Sequence, residues 1–575
     1  MKILVVSLLR IGDIVLSTPV LRGLRERHPN AEIHLLINSQ FKQVAPLIPY
    51  VNRTLMFERG EMQKGLGDIQ TPIFESYERL QSLVEDLNSE NYDWIINLTH
   101  SRLSGWLLSL LPAKKKTGLC LDGAGQAGFG SNWFRYLNNQ VDVQGEETFH
   151  FTDIFRFALE LGEEGLNRPA LVETEEGLRE SQNFLNTIDS GDVDKPVMAV
   201  QVLTSDVKKD WGVEKYAQAL QQFQRVHPNV HIAVVGAPFE RDRLVPLMRT
   251  LEEQGVRASL AILSFEGAFS LLKSKRCALL LTGDTSIKHL ASAARTPTVE
   301  LCLGSSDPHR TGSYLQGSVI VKSREACAPC VHSSPCHRET HACAKRIPAG
   351  VVAMVISEVY AGRSFQLSAI AEEFKDQVDI LRVEMRGSGF WAAHSVLEPF
   401  TEETIGRWVD LACRKIWLQA TESGETQSRI GRGTEIRKLS NLLRTIHPQV
   451  SDIEWRHLLG DFERQACLVE SRIHGFKVGI QYLRSCYEDP KRFREYIRGL
   501  IAFRERIRHS ALLRSFKASL DQIIEDDITP AFTRFRKTDD LISEIESRTE
   551  IHLKIIRGLL AEIDGEATTH GIEKI

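Results

Sequence analysis

Up to about Ile356, short apolar runs alternate with stretches of helical periodicity, the pattern of parallel strands joined by crossover helices. In the first stretch, to about Leu119, the runs Lys2–Leu8, Glu32–Ile37, Arg53–Phe57, Asp93–Leu98 and Lys116–Leu119 predict strands. Helices are expected between them near Ile14–Arg27, Ile73–Leu87 and Arg102–Leu110. Residues from about Leu121 to Lys195 are less regular and rich in Gly and Glu, and are expected to hold the crossing to a second half. A second alternating set follows, with strands at Pro196–Leu203, His231–Gly236, Cys277–Leu281, Thr298–Leu303 and Val319–Val321. Its helices fall near Val213–Arg225, Arg241–Glu253, Ala268–Lys273 and Ile287–Arg295. Two consecutive α/β halves of similar size, each with a loop motif at the end of its first strand, predict a two-lobed enzyme with its cleft between the lobes.

After Ile356 the pattern changes. Apart from a possible strand at Asp379–Glu384, long helical periodicities run to about residue 562. Phe462, Ala466, Val469, Ile473, Phe476, Ile480 and Leu483 recur at alternating spacings of four and three, a heptad-like seam. Asp489-Pro490 supplies a cap and a first-turn proline for a helix that bears Lys491, Arg492, Arg494, Arg498, Arg504, Arg506 and Arg508. Such a helix could face anionic headgroups or a partner; a solvated face balanced by neighbouring Glu residues is the plainer reading. The expected division is therefore 1–190, 191–362 and a helical accessory domain at 363–575.

Composition narrows the class. The chain has 575 residues, 42% apolar and 25% charged, as in soluble globular proteins. A net charge of −4 gives no overall affinity for a polyanion, so no nucleic-acid partner is expected. The apolar run Ile3–Leu9 leads at once into Arg10-Ile11-Gly12-Asp13 without a small-x-small cleavage site, which reads as a first strand of a cytoplasmic protein. No run is long enough to span a membrane.

Candidate chemistry gathers at three places. Arg10-Ile11-Gly12-Asp13 follows the first strand, where open parallel sheets place their ligands, and Asp13 is a candidate general base as well as a helix cap. The loop Thr204-Ser205-Asp206-Val207-Lys208-Lys209-Asp210-Trp211 offers hydroxyls, a lysine and an aromatic ring, a set suited to a diphosphate and its substituent. Asp284-Thr285-Ser286-Ile287-Lys288-His289 joins a buried strand to a small-residue helix; such a turn aims free N–H groups and a helix dipole at one point, where anions bind. Asp284 or Thr285 could cap that helix, and His289 points back toward its mouth.

The opening Lys2–Val6 strand with Arg10–Asp13 and Thr18-Pro19, the loop with Thr204, Ser205, Lys209 and Trp211, and Asp284-Thr285 with His289 together resemble glycosyltransferase family 9, the ADP-heptose:lipopolysaccharide heptosyltransferases. The resemblance covers roughly residues 1–360, leaving the helical region outside it. It implies a GT-B fold, two Rossmann-like lobes with the nucleotide sugar held mainly by the second, and an inverting, metal-independent transfer from an ADP-sugar to a lipopolysaccharide core or related glycan. Asp13 would take the acceptor's proton. Thr204, Ser205, Lys209 and the N–H groups at Thr285 and Ser286 would stabilise the leaving diphosphate, His289 would hold the donor or order the turn, and Glu240 would correspond to a carboxylate on the ribose. Ser286 stands where the family usually has Gly, and Lys288 beside it adds a charge that could compensate.

Cys327, Cys330, Cys336 and Cys343 form C-x2-C-x5-C-x6-C, with His332, His337 and His341 interspersed. Four thiolates at this spacing could hold zinc or iron as a structural site; the alternative is four reduced thiols in a Cys-rich loop. Similar clusters occur in part of the family, which favours a brace for the loop rather than a part in transfer. Two further functions remain open at this level: transfer of heptose to a protein side chain, and a non-catalytic nucleotide-sugar-binding scaffold whose helical tail binds a partner or a membrane surface.

Overall fold

A computed structural model describes residues 1–67, 73–139, 149–161, 169–188, 195–331, 334–338, 341–363, 366–384, 391–423, 432–484, 490–507 and 531–563. The chain divides into two compact units. The first comprises Met1–Met385 with Gly389–Leu397, the second Arg386–Ser388 with Glu398–Ile575.

Among the described residues the first unit is built on two large sheets, with a small two-stranded one at Cys120–Leu121 and Ala127–Gly128. One has five parallel strands in the order Arg53–Phe57, Glu32–Asn38, Lys2–Ser7, Trp94–Asn97, Lys115–Thr117. Its central strand reads Ile3-Leu4-Val5-Val6, each fully buried, because helices cover both faces of a parallel sheet. The other has six parallel strands in the order Ala258–Ile262, His231–Gly236, Val197–Gln201, Cys277–Gly283, Thr298–Cys302, Val319–Ser323. Two antiparallel strands, Val378–Glu384 and Ala392–Ser395, extend its far edge. In both sheets the strand order reverses between the first strand and the fourth, which is where doubly wound sheets open a crevice at their carboxyl ends.

Most expected elements are present within a residue or two of their expected ends, and the differences have physical causes. The stretch from Leu121 to Lys195 holds helices Asn132–Asn139, Phe151–Ala158 and Glu175–Ile188. Phe151–Ala158 buries every residue from Thr152 to Ala158, Asp153 and Arg156 included, so it carries no polar face to betray a helix. Ala258–Ile262 is an edge strand with only Ala261 in the core, too weak a signal for periodicity. The helical region was expected from 363, whereas the strands at Val378–Glu384 and Ala392–Ser395 belong to the second sheet, with Val321 opposite Ile380 and Val383 opposite Ala393.

The second unit is helical: Glu402–Ser423, Arg432–Ile446, Asp452–Arg484, Pro490–Ile507 and Ala531–Ile563 among the described residues. Phe462, Ala466, Val469 and Ile473 of the heptad-like seam are buried on the third of these helices, which packs along the last. The side chains of Phe476, Ile480 and Leu483 lie outside the described part, as do those of Lys491, Arg492, Arg494, Arg504, Arg506 and Arg508; Arg498 is exposed. No described helix is long and apolar enough to cross a membrane.

Candidate functional site

Asp13 sits in the first turn of the helix Ile11–Arg27, directly after the central strand of the first sheet. The loop ahead of it is tied to its neighbour, since the Leu8 N–H donates to Thr99 Oγ1 at 2.8 Å. Gly12 is required by a close approach. A Cβ there would stand 2.9 Å from Cδ2 of His289 and 3.8 Å from Cα of Ser286. The first turns of two helices, one from each half, therefore meet. Asp13 is half-buried, and burial pushes its carboxyl up to about 6; Asp284 adds to the rise, while Arg10 and Lys209 oppose it.

On the other side of this contact, the strand Cys277–Gly283 ends at Asp284 and the helix Ser286–Ala294 begins. Either Asp284 or Thr285 was expected to cap that helix, but neither side chain does. Thr285 occupies the cap position with extended backbone and no side-chain hydrogen bond to the turn; its hydroxyl lies 3.1 Å from Thr282 Oγ1. The Asp284 carboxylate is taken by two ammonium groups. Lys209 donates to Oδ2, and Lys288 donates to Oδ1 at 2.5 Å. Lys288 also donates to Glu300 Oε1 at 2.6 Å, and Glu300 Oε2 accepts the Ser313 N–H at 2.9 Å. Burial opposes ionisation of Asp284, but Lys288 and Lys209 outweigh it and hold the carboxyl well below the usual carboxylate range. Lys288 is likewise penalised by burial and held above its ordinary value by Asp284 and Glu300.

Lys288 is thus fully buried, which corrects the compensating role expected of it beside Ser286: its charge is spent inside the protein. His289 is also buried, and burial followed by the Lys288 charge keeps its ring neutral, far below its ordinary value. Its Nδ1 has no hydrogen-bond partner among the described residues.

The loop after the strand Val197–Gln201 reaches this turn through Lys209. Thr204 Oγ1 donates to the Asp206 carbonyl at 2.8 Å, and a Cβ on Gly283 would sit 3.5 Å from the Thr204 methyl. Ser205 is exposed. Trp211, expected among the ligand-holding groups, instead packs in the core, its indole N–H donating to the Ile347 carbonyl at 3.0 Å. Glu240 lies past the carboxyl end of the adjacent strand His231–Gly236, where its carboxylate closes its own turn by accepting the Ala237 N–H at 2.9 Å.

Lys208 joins the second loop to the Cys-rich segment. Its ammonium donates to the carbonyls of Ser334 at 2.7 Å and Val331 at 3.3 Å, and its own carbonyl lies 2.6 Å from His341 Nε2. Cys330 N–H donates to the Gly304 carbonyl at 2.7 Å. Gly304 has a φ of +58°, and a Cβ there would stand 2.2 Å from the Lys208 carbonyl oxygen. Burial pushes the Cys330 thiol up, and Cys327, Cys343 and Cys336 all add to the rise, so the four sulfurs share one neighbourhood. Among the described residues, however, the group whose ligand atoms already lie within 4.8 Å of one another is Glu32, His34 and Glu90, and there Lys2 and Arg53 already pair with Glu90. His337 is exposed, and His332 lies outside the described residues.

Of the residues expected from sequence, Asp13, Thr204, Lys209, Asp284, Thr285, Ser286 and His289 come together, whereas Trp211 and Glu240 do not and no contact ties the exposed Ser205 to them. Glu300 was missed, although a glutamate inside the apolar strand Thr298–Cys302 was a signal that a buried cation waits opposite.

Comparison with known proteins points to one family. Residues 80–340 match the model of glycosyltransferase family 9 (heptosyltransferase); the match includes the second-half loops and begins after Asp13. The chain is 23% identical over 347 residues to lipopolysaccharide heptosyltransferase 1 of Pseudomonas aeruginosa, covering 59% of this chain and 89% of the relative. It is 23% identical over 292 residues to lipopolysaccharide heptosyltransferase 3 of Escherichia coli K12, covering 50% and 79%. Among solved structures, ADP-heptose lps heptosyltransferase II of E. coli is similar at 19% identity with a TM-score of 0.45, over 63% of this chain and 99% of that one.

Proposed function

Since this chain belongs to glycosyltransferase family 9 and is a glycosyltransferase, we propose that it moves a heptose from an ADP-sugar to a lipopolysaccharide core or related glycan, with inversion, between two Rossmann-like lobes of GT-B type. The acceptor oxygen forms a bond to the anomeric carbon as the bond from that carbon to the diphosphate breaks. The acceptor's proton passes to Asp13, and ADP leaves with the bonding electrons. A carboxyl near 6 is ionised at neutral pH yet basic enough to accept that proton. Lys209, Thr204, Ser205 and the uncapped N–H groups at Thr285 and Ser286 take the developing charge on the diphosphate. His289 offers its unpartnered Nδ1 to a donor hydroxyl, and Glu240 would meet the ribose only by giving up the Ala237 N–H that its carboxylate accepts.

One observation carries this reading: Gly12 and His289 are in contact, so Asp13 and the Lys209–Asp284 turn feel each other's charge although 271 residues separate Asp13 from Asp284 in sequence. Two side roles go with it. The thiols of Cys327, Cys330, Cys336 and Cys343 have the donor chemistry for a structural zinc or iron that would brace the loop held by Lys208. Peripheral contact with a membrane through the helix Pro490–Ile507 would bring the enzyme to a lipid-borne acceptor.

The test is transfer from ADP-heptose to a heptose-free lipopolysaccharide core, with UDP- and GDP-sugars as competitors. The wild-type chain is expected to transfer, and Asp13→Ala to lose about 10²–10⁴-fold in rate while ADP binding persists. Undiminished turnover by Asp13→Ala would remove the base assignment, and preference for a protein acceptor or no turnover of any donor would favour the other two readings.

A further inference from the structure

A lysine at the third position of a helix is misplaced twice. The dipole disfavours a cation at that end, and full burial removes its water. Lys288 accepts both penalties in the helix Ser286–Ala294, and its side chain is 1% exposed. Glu300 is equally buried and is fixed from behind by the Ser313 N–H. Asp284 and Lys209 form the outer part of the row, with side chains 13% and 8% exposed. The row therefore reads Ser313 N–H, Glu300, Lys288, Asp284, Lys209, with two cations and two carboxylates, and at its end the Lys209 ammonium pairs with Asp284 alone among the described residues.

We propose that Lys288 is a positioning residue that makes Lys209 releasable: by holding Asp284 from within, it lets Lys209 leave that carboxylate for the diphosphate of an incoming nucleotide. Without Lys288, departure of Lys209 would strand Asp284 in a buried site with no cation, and Lys209 would stay where it is. Glu300 has the supporting task of neutralising Lys288 while Asp284 is shared. The inference rests on the nucleoside-diphosphate reading of the site and deepens it.

The experiment compares the affinity of the full chain for ADP and for adenosine, which lacks the diphosphate. Their ratio measures what the diphosphate contributes. Lys288→Met tests the point directly. Because a lone Glu300 left in the core could unfold that variant, Lys288→Met/Glu300→Leu is measured beside it; exchanging both charges for apolar groups of similar volume leaves Asp284 paired with Lys209 and no unpaired ion behind. Both variants are expected to bind adenosine as the wild type does and to lose about 10-fold or more of the ADP-to-adenosine ratio. Glu300→Gln, which leaves the Lys288–Asp284 pair in place, is expected to keep the ratio within about 3-fold. A double variant that retains the wild-type ratio overturns the inference alone, as does an equal loss of ADP and adenosine binding, which is what a merely structural role produces. A wild-type chain that gains nothing from the diphosphate overturns the donor reading and the inference with it.

Discussion

Each unit of this protein buries a carboxylate among cations, and the two clusters differ in what they leave reachable. In the helical unit, Asp410 on Glu402–Ser423 accepts from Arg414 at 2.8 Å and from Arg548 of Ala531–Ile563 at 2.5 Å, with His552 Nε2 at 3.2 Å. All four side chains are no more than 6% exposed, and apolar side chains of the bundle such as Ile405, Val409, Ile545 and Ile556 are buried on the same two helices. In the α/β unit the row from Glu300 to Lys209 ends at the carboxyl edge of a sheet, beside an uncapped helix N-terminus and against the turn that carries Asp13. Burial and shifted titration are common to both, so neither marks a site by itself. Position does: the first cluster fastens two helices in register, and the second ends at the carboxyl edge of a sheet beside an uncapped helix N-terminus.

The sharpest way to break the comparison is to remove Asp410. Asp410→Asn deprives two buried guanidinium groups of this carboxylate, and such losses cost about 3–5 kcal/mol. Urea unfolding of the full chain followed by helical circular dichroism is expected to show that loss, with ADP affinity unchanged. Asp410 is held far below the ordinary carboxyl range by Arg548 and Arg414 against the penalty of burial, so its contribution is present above about pH 4 and fades as the pH falls further. A variant that unfolds normally but loses ADP binding would make the helical cluster part of the site and erase the distinction.

Asp13 is expected to behave in the opposite sense. Its folded-state value near 6 lies above the ordinary 3.8, so ionising it costs the folded protein stability. The cost is absent below about pH 4, grows between pH 4 and 6 and is complete above that. Asp13→Asn should therefore be more stable than the wild type by up to about 3 kcal/mol at pH 8 and equal to it at pH 4, while losing transfer. Denaturant midpoints at the two pH values decide this. The same titration places the acid limb of kcat/KM near pH 6; a limb near 4 would mean that Asp13 is not the base.

Much of this site is legible from residue types alone, because its loops are punctuated by Gly, Asp, Thr and Ser between apolar runs, and a strand–turn–helix with such punctuation has few structural solutions. What sequence does not disclose is which polar residue answers which. Lys288 looks like a surface charge beside a phosphate until the fold sets Glu300, twelve residues later on the next strand, against it. Trp211 looks like a ligand platform until its indole is found in the core. Conversely, the helix Phe151–Ala158 hides because its charged residues are paired inside: the Asp153 carboxylate receives Tyr314 OH, the Trp391 N–H at 2.8 Å and Arg156 at 3.1 Å. Tyr314 and Trp391 lie far along the chain, beyond the reach of any local pattern.

The smallest effect is expected where the α/β unit is braced rather than built. Lys208 spans from the Lys209 loop to the carbonyls of Val331 and Ser334, so whatever orders the Cys-rich segment also restrains the lysine next to it. If the four thiols hold a soft metal, the chain as purified should contain about one equivalent of zinc or iron by elemental analysis. Its removal by a chelator should lower Tm by about 2–4 °C, the shift that about 1 kcal/mol produces in a domain of this size, and weaken ADP several-fold through the loosened Lys209 loop. Lys208→Met cuts the same strut without touching a thiol, and should weaken ADP to a similar degree whether or not metal is bound. Metal loss that leaves ADP affinity intact, with Lys208→Met equally silent, would show that the Cys-rich segment closes the second half on its own account and that the site is held by the Asp284 row alone.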